Sequence, residues 1–266
     1  THALPTSEDL LVGPARSAYI ESRALPSARF MYQWFEDVDL DSQAVQDTIR
    51  ILAERQVLVD LTLNVNELIY FNDVLDRVLP ADALESLHPR VREEWVQQLS
   101  ASLFDWTDQD YARAKAVMPK VLELARRMHV AGVPLLIGTD GYGAAPAYWR
   151  ELALHVEAGI PAWDALALAT SLAADRLGIG SRTGRIESDL EADIVFVNAN
   201  PLEDIANVQD VYLVVSDGAA YSQEELAAQA RQRLHEAASP PSPEALALYE
   251  DLALYDLYAR YQQRFY

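Results

Sequence analysis

The sequence predicts an α/β protein with parallel strands, and three observations carry that expectation. Val133-Pro134-Leu135-Leu136-Ile137 is an unbroken apolar run, too short for an ordinary helix and suited to a strand buried on both faces. Val57-Leu58-Val59-Asp60-Leu61-Thr62-Leu63 is a second β-rich run upstream of it. Between the two, Thr107 with Asp110 marks a helix start, and Tyr111, Ala114, Met118, Val121, Leu122, Ala125 and Met128 form one stripe. Helix–strand alternation of this kind is the grammar of parallel units joined by helical crossovers.

Taken in order, Ser7-Glu8-Asp9-Leu10 reads as a short helical turn. From Pro14 to Asp39 no period holds, and the density of Tyr19, Phe30, Tyr32, Trp34 and Phe35 reads as a long aromatic loop, lining a pocket, covering one or simply packing. Asp41 is placed to cap a helix with Val45, Thr48, Ile49 and Leu52 on one face, leading into the strand at 57–63. Residues 64–105 read as mixed helix and loop, broken at Pro80 and Pro89. The helix after Thr107 should kink at Pro119 and stop at Gly132.

Gly138 and Gly141 bracket Thr139 and Asp140, so the strand at 133–139 ends in a tight turn with one carboxylate just past it. The carboxyl ends of parallel strands are where ligands and catalytic groups collect. An acid there can coordinate a metal or take a proton from water; standing alone, it can equally serve its own turn. Pro146 then opens a helix over 148–158, closed by Gly159. Pro161 opens another, with Leu166, Ala169, Leu172, Ala173 and Leu177 as its buried face and Gly178 as its stop.

Beyond it the pattern changes. Gly184-Arg185-Ile186, Ala192-Asp193-Ile194-Val195-Phe196-Val197 and Val211-Tyr212-Leu213-Val214-Val215 are strand-like, with turns at Asn200-Pro201 and Asp217-Gly218. Ser222 and Glu225 make a capping box for a helix to about Ala238. Ser239-Pro240-Pro241-Ser242-Pro243 is a stiff linker. The Tyr255, Tyr258, Tyr261 and Phe265 stripe of a last helix suits docking, on this chain or on a second copy.

Composition bounds the partners. The 266 residues carry 41 Asp+Glu against 21 Lys+Arg, a net charge of −20, which repels nucleic acid and anionic membranes. No apolar run approaches the roughly 20 residues of a membrane helix, and no signal pattern opens the chain. A soluble, cytoplasmic protein is favoured over a periplasmic one, although the lack of cysteine does not separate the two compartments. That lack does exclude thiolate metal sites and a cysteine nucleophile. The chain starts at Thr1 without methionine, a start that points to processing, cloning or truncation.

Three segments together are more specific than any one: 131–140, then Arg150-Glu151-Leu152 through Glu157-Ala158-Gly159-Ile160-Pro161, then Ala165-Leu166-Ala167-Leu168-Ala169-Thr170. Gly184-Arg185-Ile186-Glu187, Ala192-Asp193-Ile194-Val195 and Asn200-Pro201-Leu202 follow. This arrangement resembles the metal-dependent amidohydrolase superfamily, in particular its imidazolonepropionase-like and Xaa-Pro dipeptidase-like branch. The likeness is good over 131–221, fainter over 1–63 and absent from the tail.

The resemblance implies a (β/α)8 TIM-like barrel carrying one or two divalent metals, usually zinc, at the strand ends, with a composite β-sandwich beside it. This chain would supply strands six to eight and part of the sandwich: barrel over 1–183, sandwich segment over 184–221, helical tail over 222–266. It implies that Asp140 ends the eighth strand as metal ligand and general base, and that His2 ends the sixth, where the family's histidine binds metal or substrate, and is counted here as a metal ligand. The remaining ligands of that family would lie before Thr1. Lys115 and Lys120, the only lysines, both sit on a helix and cannot replace the family's strand lysine. Trp149 stands where the family often has a histidine, and Ser188-Asp189 where it often turns with Pro-Gly. His88, His129, His155 and His235 show no metal spacing and read as structural or solvated.

The expected function is therefore a metal-dependent hydrolase of amide or peptide-type bonds, cyclic amides, lactones and esters included, acting on a small molecule or short peptide. The N-terminal half of the barrel, covalent or on a second chain, would complete it, and a homo-oligomer is expected. A second reading is a truncated, non-catalytic relative that serves as an interaction or oligomerisation module. A third, resting only on position, is an N-terminal-threonine hydrolase using the Thr1 amine as base.

Overall fold

Val59 pairs with Leu135 and Asp60 with Leu136 in a parallel ladder, so the two runs singled out above lie side by side in the computed structural model. It describes residues 6–74, 77, 93, 105–140 and 144–238. The ladder is short: β1 is Val59–Asp60 and β2 is Leu135–Leu136. The strand expected over 57–63 ends early because Thr62 turns left-handed (φ 41) and Leu63 starts a helix, α4 (Leu63–Tyr70; below, α1 to α3 precede it). Glu151 causes this, since its carboxylate takes the Leu63 and Asn64 amides at 2.9 and 2.7 Å. The run 133–137 is buried at Val133 and Leu135 but only partly at Leu136 and Ile137, so it is not covered equally along its length.

The crossover between β1 and β2 includes α5 (Asp108–Val130), which starts in a full capping box between Thr107 and Asp110. It continues past Pro119 as one helix. Ala114, Met118, Val121, Ala125 and Met128 are buried as expected, joined by Val117 and Leu124. Gly132 closes it.

Upstream, the aromatic stretch is not a loop. It forms α1 (Pro14–Arg23) and α2 (Phe30–Asp37). Tyr19, Tyr32, Trp34 and Phe35 are all buried, and burial on several sides erases the one-face period by which a surface helix is read. The Trp34 indole donates to the Ser7 carbonyl at 3.0 Å. The next helix, α3 (Gln43–Glu54), is capped by Ser42 rather than Asp41. Asp41 is engaged elsewhere, 2.7 Å from Arg127.

Downstream of β2, α6 (Ala144–Glu157) begins before Pro146 and places that proline in its first turn. The helix after Pro161 is two helices, α7 (Ala162–Ala169) and α8 (Ser171–Arg176), broken at Thr170 (φ −133, ψ −97). The break resets the helical face: Ala165, Leu168 and Ala174 point inward, while Leu172 and Leu177 are exposed. Gly184-Arg185-Ile186 is not a strand, and Ile186 is 83% exposed.

The second sheet is antiparallel, in the order β3 (Ile194–Val197), β4 (Val211–Ser216), β5 (Ala219–Ser222). Asp217 and Gly218, both at positive φ (49 and 75), make the two-residue hairpin that adds β5. A short 3-10 turn before β4 sends Ile205 into the main core against α6. Ser222 and Glu225 cap α9 (Gln223–Ala238) reciprocally, as expected. The proline linker and the tyrosine stripe lie outside the described residues. Among those described, no helix is long and apolar enough to cross a membrane.

Asp110 is the polar anchor of this core. Buried to 6% exposure, it accepts from Tyr32 at 2.6 Å, from Arg29 at 2.9 and 3.1 Å, and from the Thr107 amide and hydroxyl at 2.9 and 2.8 Å. The Arg29 guanidinium first, then Tyr32 and Thr107, hold its carboxyl well below the usual range against the opposing effect of burial. Replacing Asp110 by Ala leaves a guanidinium and a phenol without their acceptor, and urea titration should show a loss of about 3 kcal/mol. A carboxyl whose folded pKa is depressed stabilises above its unfolded value and loses that contribution as pH falls through the folded one. The wild-type advantage over the variant should therefore shrink in strong acid.

Candidate active site at the strand ends

Parallel pairing places the carboxyl ends of β1 and β2 on the same side, and each delivers an acid there. Asp60 is the last residue of β1. Asp140 follows β2 by four residues, exposed and left-handed (φ 36), a conformation that aspartate tolerates better than most residues. Asp60 is half-buried, and burial raises its pKa; the Thr62 and Gly138 amides work against that, and the Asp140 charge adds to it. The two carboxylates thus lie within each other's field. A Cβ on Gly138 would fall 2.0 Å from Asp60 Oδ2, so the β2 backbone meets the Asp60 side chain directly. Asp60 Oδ1 is buried and has no hydrogen-bond partner among the described residues.

Behind these strand ends α6 contributes a row of charge. Glu151 is fully buried and holds the first two amides of α4. One turn on, the equally buried His155 places Nδ1 2.9 Å from the Glu151 carbonyl and 3.4 Å from its carboxylate. Burial pushes the Glu151 carboxyl up to about 8, against the pull of the Asn64 and Leu63 amides and with the push of Asp60. Burial also drops His155 to about 4, so the pair is neutral between those values. Arg150, on the same helix, forks to Glu67 at 2.6 and 2.7 Å and reaches Glu157 at 2.6 Å. Burial alone would raise Glu67, but Arg150 and Arg77 outweigh it and leave the carboxyl lowered.

Of the residues singled out from sequence, Asp140 stands at this mouth. His2 lies outside the described residues, as do His88 and the His235 side chain, and the expected pairing of His2 with Asp140 lies outside them too. His129 pairs with Asp164 at 3.2 Å and His155 is core, consistent with structural roles. Lys115 pairs with Asp73 at 2.5 Å and Lys120 reaches the Glu36 carbonyl at 3.4 Å. Among the described residues no three His, Asp or Glu gather as a metal cage. As an exposed oxygen donor Asp140 fits one position of a divalent site. Asp60 and Glu151 were not singled out from sequence. The available signals were a lone acid inside the apolar run 57–63 and a Glu–His pair four residues apart on one helix.

The Glu151 shift has a measurable sign. A carboxyl whose folded pKa stands above its unfolded value contributes stability below the unfolded value, 4.5, and loses it as pH rises through about 8. Glu151→Gln cannot titrate. The stability of wild type relative to this variant should therefore fall steadily across that window in paired urea titrations; a difference that rises with pH would contradict the neutral pair.

Three comparisons bear on family. The model of the Amidohydrolase family matches residues 39–220. Among solved structures, bottromycin amidohydrolase is similar at 25% identity and a TM-score of 0.55, over 68% of this chain and 40% of that one. A Xaa-Pro dipeptidase with bound methionine is 28% identical over 57% of this chain and 36% of that one, with a TM-score of 0.40. An ochratoxinase from A. niger is 22% identical over 68% of this chain and 34% of that one, with a TM-score of 0.45. Comparison with curated protein sequences gives no match. The chain thus spans 34–40% of the length of these solved relatives. With a family match covering more than half of its residues, and an α/β core related to the TIM barrel, the chain belongs to the amidohydrolase family.

Proposed function

We propose that this chain is the C-terminal part of a metal-dependent hydrolase of amide or peptide-type bonds, with Asp140 as metal ligand and general base. The observation that supports it is the place of Asp140: the carboxyl end of β2, beside the parallel β1, inside the family match. Cyclic amides, lactones and esters are the neighbouring substrate classes. Residues 1–183 form the barrel part, 184–221 the sandwich segment and 222–266 the helical tail. β1 and β2 then correspond to strands seven and eight of the barrel.

Asp140, with His2 as second ligand, would hold a divalent ion, zinc above others and one or two in number. When bound, that ion supplies Lewis-acid activation of water. Asp140 itself, being an exposed carboxylate, takes a proton from the attacking water and returns it to the leaving nitrogen. The other ligands come from the N-terminal half of the barrel, covalent or on a partner chain. The β3–β5 sheet, with Val195 58% and Tyr212 47% exposed, offers apolar surface to that half, and a homo-oligomer is the expected assembly.

A catalytic metal generally takes about three protein ligands. With two, this chain alone should retain well under one equivalent of zinc after dialysis, by elemental analysis, and should hydrolyse amides poorly. Supplying the N-terminal half should restore both. In that completed enzyme Asp140→Asn should abolish turnover with an unchanged circular dichroism spectrum. A full equivalent of tightly held zinc on the chain alone, or an active Asp140→Asn enzyme, would contradict the proposal.

A further inference from the structure

The acid at the end of β1 has a task that the chemistry above does not assign. Asp60 Oδ2 occupies the space a side chain on Gly138 would need, 2.0 Å from an ideal Cβ, with Cγ and Oδ1 at 2.7 Å. Gly138 has no positive φ, so backbone conformation does not demand glycine there; the Asp60 contact does. Burial raises the pKa of this carboxylate, and the Thr62 and Gly138 amides work against that rise. The backbone that carries Asp60 is itself pinned, since the fully buried Glu151 holds Leu63 and Asn64. Two residues beyond Gly138 stands Asp140, left-handed at φ 36, a conformation uncommon outside glycine although aspartate adopts it more readily than most.

We propose that Asp60 is a positioning residue: its carboxylate clamps the 138–140 turn to the end of β1 and so sets where Asp140 stands. The proposal rests on the reading of Asp140 as the catalytic carboxylate. Glu151 acts one step behind, by fixing the turn from which Asp60 projects. Carboxylate-to-amide bonds thus tie α6 to residues 63 and 64, and the Asp60 side chain just before them packs against the Gly138 backbone.

The direct test is amide hydrogen exchange on the 266-residue chain, with the Val59 amide as internal control. That amide bonds the Pro134 carbonyl at 2.9 Å and reports β1–β2 pairing itself. In Asp60→Ala the 138–140 amides should exchange about tenfold faster or more as the turn loosens, the scale of losing one polar contact to a charged group, while Val59 stays protected. Asp60→Asn, which keeps an acceptor oxygen, should recover part of the protection. Should Asp60→Ala fail to fold, Gly138→Ala decides, because it retains the charge of Asp60 and only displaces the carboxylate; the same acceleration is expected.

Unchanged exchange at 138–140, or equal acceleration at Val59, would overturn the clamp. In the completed enzyme Asp60→Asn should lower kcat with KM unchanged, and full kcat despite a loosened turn would overturn the link to Asp140. Faster exchange in Asp60→Ala together with an active Asp140→Asn enzyme would leave the clamp standing and remove the catalytic reading of Asp140 instead.

Discussion

Two backbone amides, those of Leu63 and Asn64, determine how the strand ends are built. Left without acceptors they would be two of the four donors that every helix leaves open at its start. Glu151 satisfies both from a helix 88 and 87 residues away in sequence. That contact ends β1 at Asp60, begins α4, and locks α6 across the end of the parallel pair. It also requires Glu151 to sit in the core without a cation on its oxygens, which is why burial dominates its protonation.

The other buried acids are handled differently. Asp110 and Glu67 are satisfied by guanidinium groups, Arg29 on one side and Arg150 with Arg77 on the other. Arginine suits this because its planar fork meets both carboxylate oxygens at once. In a chain with a net charge of −20, these arginines are committed to buried acids, while Arg176 donates to the Leu135 carbonyl of β2. Asp60 and Asp140 share the strand ends, where the Asp140 charge adds to the rise that burial imposes on the Asp60 carboxyl.

Much of this was legible in the sequence where the cause is local. The Thr107–Asp110 box, the Gly132 stop, the Asp217-Gly218 hairpin and the Ser222–Glu225 box each lie within a few residues, and each is where the sequence places it. The parallel pairing followed from strand, helix and strand in order. What was not legible depends on distant partners. The strand at 57–63 is cut short by Glu151, α1 and α2 are hidden because their aromatics are buried on several sides, and Asp41 loses its capping role to Arg127. The site divides the same way. Asp140 is visible as a carboxylate after a strand, whereas Asp60 acquires its meaning from Gly138, across the sheet.

The account turns on whether Asp140 carries the metal. The most direct measurement is anomalous diffraction at the zinc edge from the barrel completed with its N-terminal half. A zinc peak is expected about 2.0–2.2 Å from an Asp140 carboxylate oxygen, lost in Asp140→Asn. Zinc bound fully with Asp140 outside its coordination sphere, or occupancy unchanged in that variant, would contradict it.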